Sequence, residues 1–274
     1  MKKIIPLLFL LAILAMGCPQ QEPEVQQVEI GFFTPYYLFP EVLKGRVKEV
    51  VEINYLAVEQ DGAYVKGERL TAAARDSITW TNDIRVIFDE NGNLLQCDLI
   101  DENDELIDRT KLTVQDDQII RGEYFRDDTL RRYAKMTYNE AGQLTGIDQF
   151  RMPVDTLMWS VLLTSDENGN YLEWQFLNPK NEPTGKYIFT VNQDGRRTGY
   201  QYYNAEGEKT FEQEYTYNEK GWLEKQVMRN DEGEEYVSEY RYEYDDMGNW
   251  VKVIGTSDLN EPIISERTIT YFEE

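Results

Sequence analysis

Paired carboxylates are the most frequent chemistry-bearing pattern in this sequence: Asp101/Glu102, Asp104/Glu105, Asp116/Asp117, Asp127/Asp128 and Asp245/Asp246. Two carboxylates of unlike pKa could hydrolyse a glycoside, one as acid and the other as nucleophile or base. Every pair, however, falls in or beside a cluster of Asp, Asn and Gly, the residues a tight turn needs, and this favours a structural role. Asp101-x-Asn103-x-Glu105 alternates oxygen ligands in the manner of a calcium loop, but Leu106 and Leu112 stand where an EF-hand requires Gly and Glu. The 274 residues contain no His, which removes Ser-His-Asp and Cys-His nucleophiles, His-ligated zinc and imidazole acid/base catalysis. Cys97, between Leu95 and Leu99 at period-two spacing, reads as a small buried hydrophobe on a strand rather than a reactive thiol. With no Gly-rich phosphate loop and no Cys-x-x-Cys pair, the expectation is a non-enzymatic protein without cofactor or metal.

Aromatic side chains offer a different chemistry. Nineteen Tyr and five Trp are enough for a platform that stacks against a glycan or a peptide, with Trp159, Trp174, Trp222 and Trp250 as the candidates. The competing reading is cross-strand packing, which strands favour. Trp222 and Trp250 follow Gly221 and Gly248 at nearly the same place, which suggests one repeated structural role. Charge narrows the partners: 51 Asp and Glu against 28 Lys and Arg give −23, which repels nucleic acid and anionic membrane surfaces.

The N-terminus carries an address. Lys2 and Lys3 precede an apolar run from Ile4 to Ala15 that closes at Gly17-Cys18, too short for a stable mature span. The Gly-Cys junction resembles a bacterial lipoprotein signal, which implies cleavage after residue 17 and acylation of Cys18. Residues 18–27, polar and bearing two prolines, read as a flexible tether. If Cys18 is acylated, Cys97 has no partner for an intramolecular disulfide, so stability must come from the fold. The implied location is the bacterial cell envelope, the outer membrane before the inner, facing the periplasm or the cell surface. Membrane contact is then through the lipid on Cys18.

The elements that position these residues are repetitive. Clusters such as Phe88-Asp89-Glu90-Asn91-Gly92, Tyr138-Asn139-Glu140-Ala141-Gly142 and Tyr217-Asn218-Glu219-Lys220-Gly221 recur with a period of about 26 residues, and Val114 to Gln118 fits with Gln118 in the place of Gly. A second set of turns at Asp104, Asp128, Asp155, Asn181, Gly207, Gly233 and Asn260 divides each unit into two strands. Between the turns the residues alternate, as in Phe211, Gln213, Tyr215 and Tyr217 against Glu212, Glu214 and Thr216. Period two specifies strands, and short connections make them antiparallel. The Tyr-Asn/Asp-x-x-Gly-x-Leu/Trp signature of Tyr138 to Leu144 and Tyr244 to Trp250 resembles the YD repeats of RHS-type bacterial proteins, over about residues 84 to 274. Leu43 to Val50 is similar to the opening strand of small repeat-bearing lipoproteins. The resemblance implies a β-sheet strip or shell and brings no catalytic residue with it.

Residues 28–83 are less regular, with the Pro35 to Pro40 aromatic cluster, a strand from Arg46 to Val58, a turn at Asp61-Gly62 and a helical turn at Ala72 to Ala74. They read as an irregular cap plus first strands, forming one domain with the repeat region 84–274. The expected fold is an all-β antiparallel meander of about 14 to 16 strands. Left flat, such a sheet would wet its whole Tyr-rich face, so it must curl into a barrel-like or coiled shell with Tyr215, Tyr217, Tyr240, Tyr242 and Tyr244 inward. The expected function is non-catalytic binding or scaffolding at the envelope, with a glycan or protein partner. The alternatives are a carboxylate-dependent glycan-processing enzyme and a carbohydrate-binding module.

Overall fold

The computed structural model describes residues 43–71 and 83–273. The signal segment, Cys18, the tether, the Pro35 to Pro40 cluster and the helical turn expected at Ala72 to Ala74 lie outside the described residues. The chain forms β1 (Val47–Gln60), β2 (Ala63–Arg69), β3 (Asp83–Phe88), β4 (Leu94–Ile100), β5 (Leu106–Gln115) and β6 (Gln118–Arg126). It continues through β7 (Thr129–Tyr138), β8 (Leu144–Arg151), β9 (Thr156–Ser165), β10 (Tyr171–Leu177), β11 (Pro183–Val191) and β12 (Arg197–Asn204). The last elements are β13 (Lys209–Tyr217), β14 (Leu223–Asn230), β15 (Glu235–Tyr244), β16 (Trp250–Ser257) and β17 (Ile263–Tyr271).

From β3 to β17 every strand pairs antiparallel with the next, and β1 joins the two ends. On one side β1 pairs with β17 from Val47↔Tyr271 to Leu56↔Ile263; on the other it pairs with β3 from Glu49↔Ile87 to Glu52↔Ile84. The result is a closed barrel of 16 strands with β2 as one extra strand. The section read as a cap plus first strands supplies the strand that closes the ring, where a strand was expected from Arg46 to Val58. Pairing with β17 stops at Leu56, so the far end of β1 and β2 project past the rim as a hairpin turning at Asp61-Gly62.

Turn chemistry fixes both rims. One rim carries the repeat signature. Its Asp89, Asn139, Asp166, Asn192, Asn218 and Asp245 each accept on Oδ1 the backbone N–H four residues on. Asp101, Asn178, Asn204 and Asn230 do the same at the opposite rim. A short polar side chain thus substitutes for backbone partners that the loop lacks. The signature tyrosines tie each unit to the preceding one: Tyr138 Oη donates to the carbonyl of Ile119 at 2.9 Å and Tyr217 Oη to that of Arg197 at 2.7 Å. The unit at Val114 departs from the expected form. Its turn is Asp116-Asp117, both left-handed at φ +51° and +57°, and Gln118 already belongs to β6. Two residues of that conformation make a tight hairpin in place of the longer loop.

Gly221 lies at φ +88°, where a Cβ would come within 2.7 Å of the Arg196 guanidinium, whose Nη1 donates to the Gly221 carbonyl at 3.0 Å. Gly221→Val is expected to cost about 1–2 kcal/mol from the left-handed backbone alone, lowering the melting temperature by on the order of 5 °C. A thermal melt checks this, and an unchanged midpoint would show that the rim tolerates a β-branched residue there.

One pleat face runs unbroken around the ring. It passes from Val50 to Val86 and Cys97, through Leu112, Ala134, Met136, Ile147 and Val161, to Phe176 and Trp174. It continues through Tyr187, Phe189, Tyr200, Tyr202, Phe211 and Tyr215 to Met228, Tyr242, Val253 and Ser265, and returns to β1 at Asn54. This is the inner face, and Tyr215, Tyr217, Tyr240, Tyr242 and Tyr244 all belong to it. The alternate positions Lys111, Lys135, Glu214, Glu239 and Glu243 are exposed.

Candidate functional site: the inner wall and its polar end

The inner wall changes character around the ring. From β1 and β3 to β9 it is mainly aliphatic and closely packed, with Val161 at 0% exposure. From β10 to β13 it is aromatic, and Trp174, Phe176, Tyr187, Tyr202 and Phe211 are only half-buried. Trp174 meets Phe189 edge to face at 4.6 Å, and the Arg197 guanidinium lies 3.9 Å over the Phe189 ring. Such contacts each add a fraction of the stabilisation that burial of the rings supplies.

Toward the rim that holds the β1–β2 hairpin, the same face becomes polar. Asp108, 4% exposed, takes a bidentate pair from Arg126 at 2.6 Å on both oxygens. Burial opposes its charge, but the Arg126 guanidinium and the Tyr124 hydroxyl prevail and hold its pKa below the usual carboxylate range. Burial and the hydrogen bond to Asp108 push Tyr124 up to about 12. Arg132 lies 4.1 Å over the Tyr124 ring and stands opposite Arg151 in register. At the seam Glu52 pairs with Arg267 at 2.8 Å. Asn54 and Asp83, both fully buried, join at 2.8 Å through the Asn54 backbone N–H.

The residues singled out from the sequence fall into place on this frame. Asp116/Asp117 and Asp127/Asp128 occupy left-handed turn positions. Asp101 accepts the N–H groups of Asn103 and Glu105 and the Asn103 side chain, so the alternating oxygens of that segment serve an Asx loop. Those hydrogen bonds, the Glu105 N–H foremost, lower the Asp101 pKa. Among the described residues no group of three or more His, Cys, Asp or Glu is placed to hold a metal ion. Cys97 is buried on the inner face at 2% exposure, and burial pushes its thiol up to about 12. The four tryptophans all join the inner wall but form no single platform. Trp159 stands opposite Gln149 beside the aliphatic cluster, Trp174 sits in the aromatic sector, and Trp222 and Trp250 pack together with Tyr242. Sequence patterns singled out none of Arg132, Arg151, Arg267 or Asp83, since each gains meaning only from its cross-strand partner.

No family model matches the chain, and no curated protein matches it. Among solved structures, a porin-like protein from Bacteroides uniformis is similar at TM-score 0.54 and 10% identity, covering 83% of this chain and 99% of its own. A porin-like protein from Bacteroides vulgatus gives TM-score 0.34 at 10% identity over 84% of this chain and 100% of its own. The Photorhabdus luminescens Tc holotoxin pore gives 0.29 at 11% identity, over 79% of this chain and 14% of its own. The first likeness is one of fold, a closed antiparallel barrel; the other two add nothing to it.

Proposed function

We propose that this chain is a non-catalytic, lipid-anchored protein of the bacterial cell envelope, whose barrel is a binding or scaffolding module built from degenerate RHS-type YD hairpins. The observation that carries the reading is the direction of the pleat. A membrane-spanning barrel turns an apolar band outward and a polar lining inward. Here the apolar and aromatic face is enclosed, while Lys111, Lys135, Glu214, Glu239 and Glu243 face out. A Lys or Arg facing lipid at the midplane costs about 2–4 kcal/mol, so a porin-like ring with this exterior belongs in water. Attachment is then the task of Cys18, whose acyl chains contribute about 0.8 kcal/mol per buried CH₂. The recurrence of one Asx loop and of the tyrosine ties supports descent from a common hairpin unit.

Cys18→Ser, expressed in a bacterium fed labelled fatty acid, is expected to lose the label and to leave the detergent phase. Processed Cys18→Ser protein that partitions with membranes as the parent does would contradict the anchor.

A further inference from the structure

We propose that the inner face of β6 to β8, at its polar end, is a binding site for an oxyanion, carried by Arg132 and Arg151 with Gln149 beside them. The proposal deepens the binding reading and rests on it, but it is independent of Cys18, so fractionation and anion titration can fail separately.

Arg132 and Arg151 are cross-strand partners, Arg132↔Arg151, on the face that carries Ala134, Met136 and Ile147 toward the interior. Like charges directly opposite on a sheet repel, and a chain with 28 basic residues against 51 acidic ones has no shortage of carboxylates to separate them. The neighbouring acids are paired first with other groups, and of them the Asp108 charge also acts on Arg132 through space. Asp108 is held by both arms of Arg126, Asp127 lies 3.7 Å from Arg131, and Asp155 accepts the Tyr133 hydroxyl. Among the described residues no carboxylate lies within ion-pair distance of Arg132 or Arg151, so three arginines face one carboxylate on this stretch of wall. Arg132 lies with its charge over the Tyr124 ring, 4.1 Å from the centroid, which orders the group while ring contact uses none of its N–H donors.

Gln149 gives the second observation. Its side chain is 6% exposed, on the same face two residues before Arg151, and its amide makes no hydrogen bond to another described residue. The amide atoms are not sealed from solvent, so its N–H groups can turn to a ligand. An oxyanion seated between the arginines would accept from it. The fork of a guanidinium matches a carboxylate or a phosphate group, so the ligand class is an anionic group of that kind. At physiological ionic strength charge is screened within about 8 Å, so the local arginines outweigh the distant acidic surface. A free anion and the head of an amphiphile share this chemistry.

The test uses the chain from residue 18 onward with Cys18→Ser, at about 0.15 M ionic strength, titrated with inorganic phosphate and with octyl phosphate. The readouts are calorimetry and tryptophan fluorescence, since Trp159 stands opposite Gln149. Saturable phosphate binding is expected, weakened about tenfold in the R132Q/R151Q double variant, and less in R132K/R151K, which keeps charge but loses the planar fork. The double Gln variant should melt, without anions, no lower than the parent, because a repulsive pair is gone. Tighter binding of octyl phosphate than of phosphate would assign the site to an amphiphile head, and equal binding to a free anion. Absence of saturable phosphate binding, or equal binding by R132Q/R151Q, would overturn the site. A fall in melting temperature with unchanged affinity would assign both arginines to the fold alone.

Discussion

Trp250→Ala is expected to destabilise the barrel by about 3–5 kcal/mol, as loss of a large buried aromatic does. The indole is 4% exposed in β16 and packs with Trp222, Val253 and Tyr242. The Arg267 guanidinium stacks on it at 3.5 Å and bonds Glu52 of the closing strand. Truncation would leave a cavity and release the charged pair beside the seam, so the loss should exceed that of an equal cavity elsewhere. For a domain of this size the melting temperature should fall by on the order of 10 °C. A shift of a degree or two would return Trp250 to the role of a stacking side chain for a ligand, as its sequence position also allowed.

Arg69→Ala should cost about 3 kcal/mol, because it strands a buried carboxylate. Arg69 Nε donates to Asp83 Oδ2 at 2.7 Å, and Asp83 has no exposed surface. The other guanidinium nitrogens donate to the carbonyls of Asp101 and Glu102 and to Asp104 Oδ1. One side chain therefore pins β2 to the neighbouring turn and neutralises the base of β3. Replacing Asp83 by Asn in the same background removes the stranded charge, so the Arg69→Ala/Asp83→Asn double variant should recover part of the loss. Chemical denaturation of the parent and the two variants measures this; no loss in Arg69→Ala would show that water reaches Asp83.

Much of this architecture was legible because it is local. The Asx and Gly positions announce their turns: Asp104, Asp128, Asp155, Asn181, Gly207 and Gly233 all have positive φ. Period-two alternation assigned the tyrosines to one face, and the cost of wetting that face required the sheet to curl. What was hidden is non-local. Glu52 meets Arg267 from 215 residues away, and no pattern within β1 marks it as the strand that joins β17 to β3. Register was equally invisible. Arg132 and Arg151 lie on consecutive strands, but only the pairing of β7 with β8 sets them opposite each other. The tryptophans illustrate the limit in the other direction: their types suggested a platform, while the fold places Trp159 and Trp174 beside one cluster and Trp222 and Trp250 in another.

The barrel encloses its apolar face and meets water with its charged one, and we propose that lipid on Cys18, and not the barrel wall, holds it to the envelope. Flotation with liposomes tests this most directly, using the chain from residue 18 onward with Cys18→Ser, folded in buffer without detergent. A monodisperse protein that stays in the aqueous fraction with an unchanged thermal transition is expected. Protein that floats with the vesicles and resists carbonate extraction would show that the strands themselves enter the bilayer, and would contradict it.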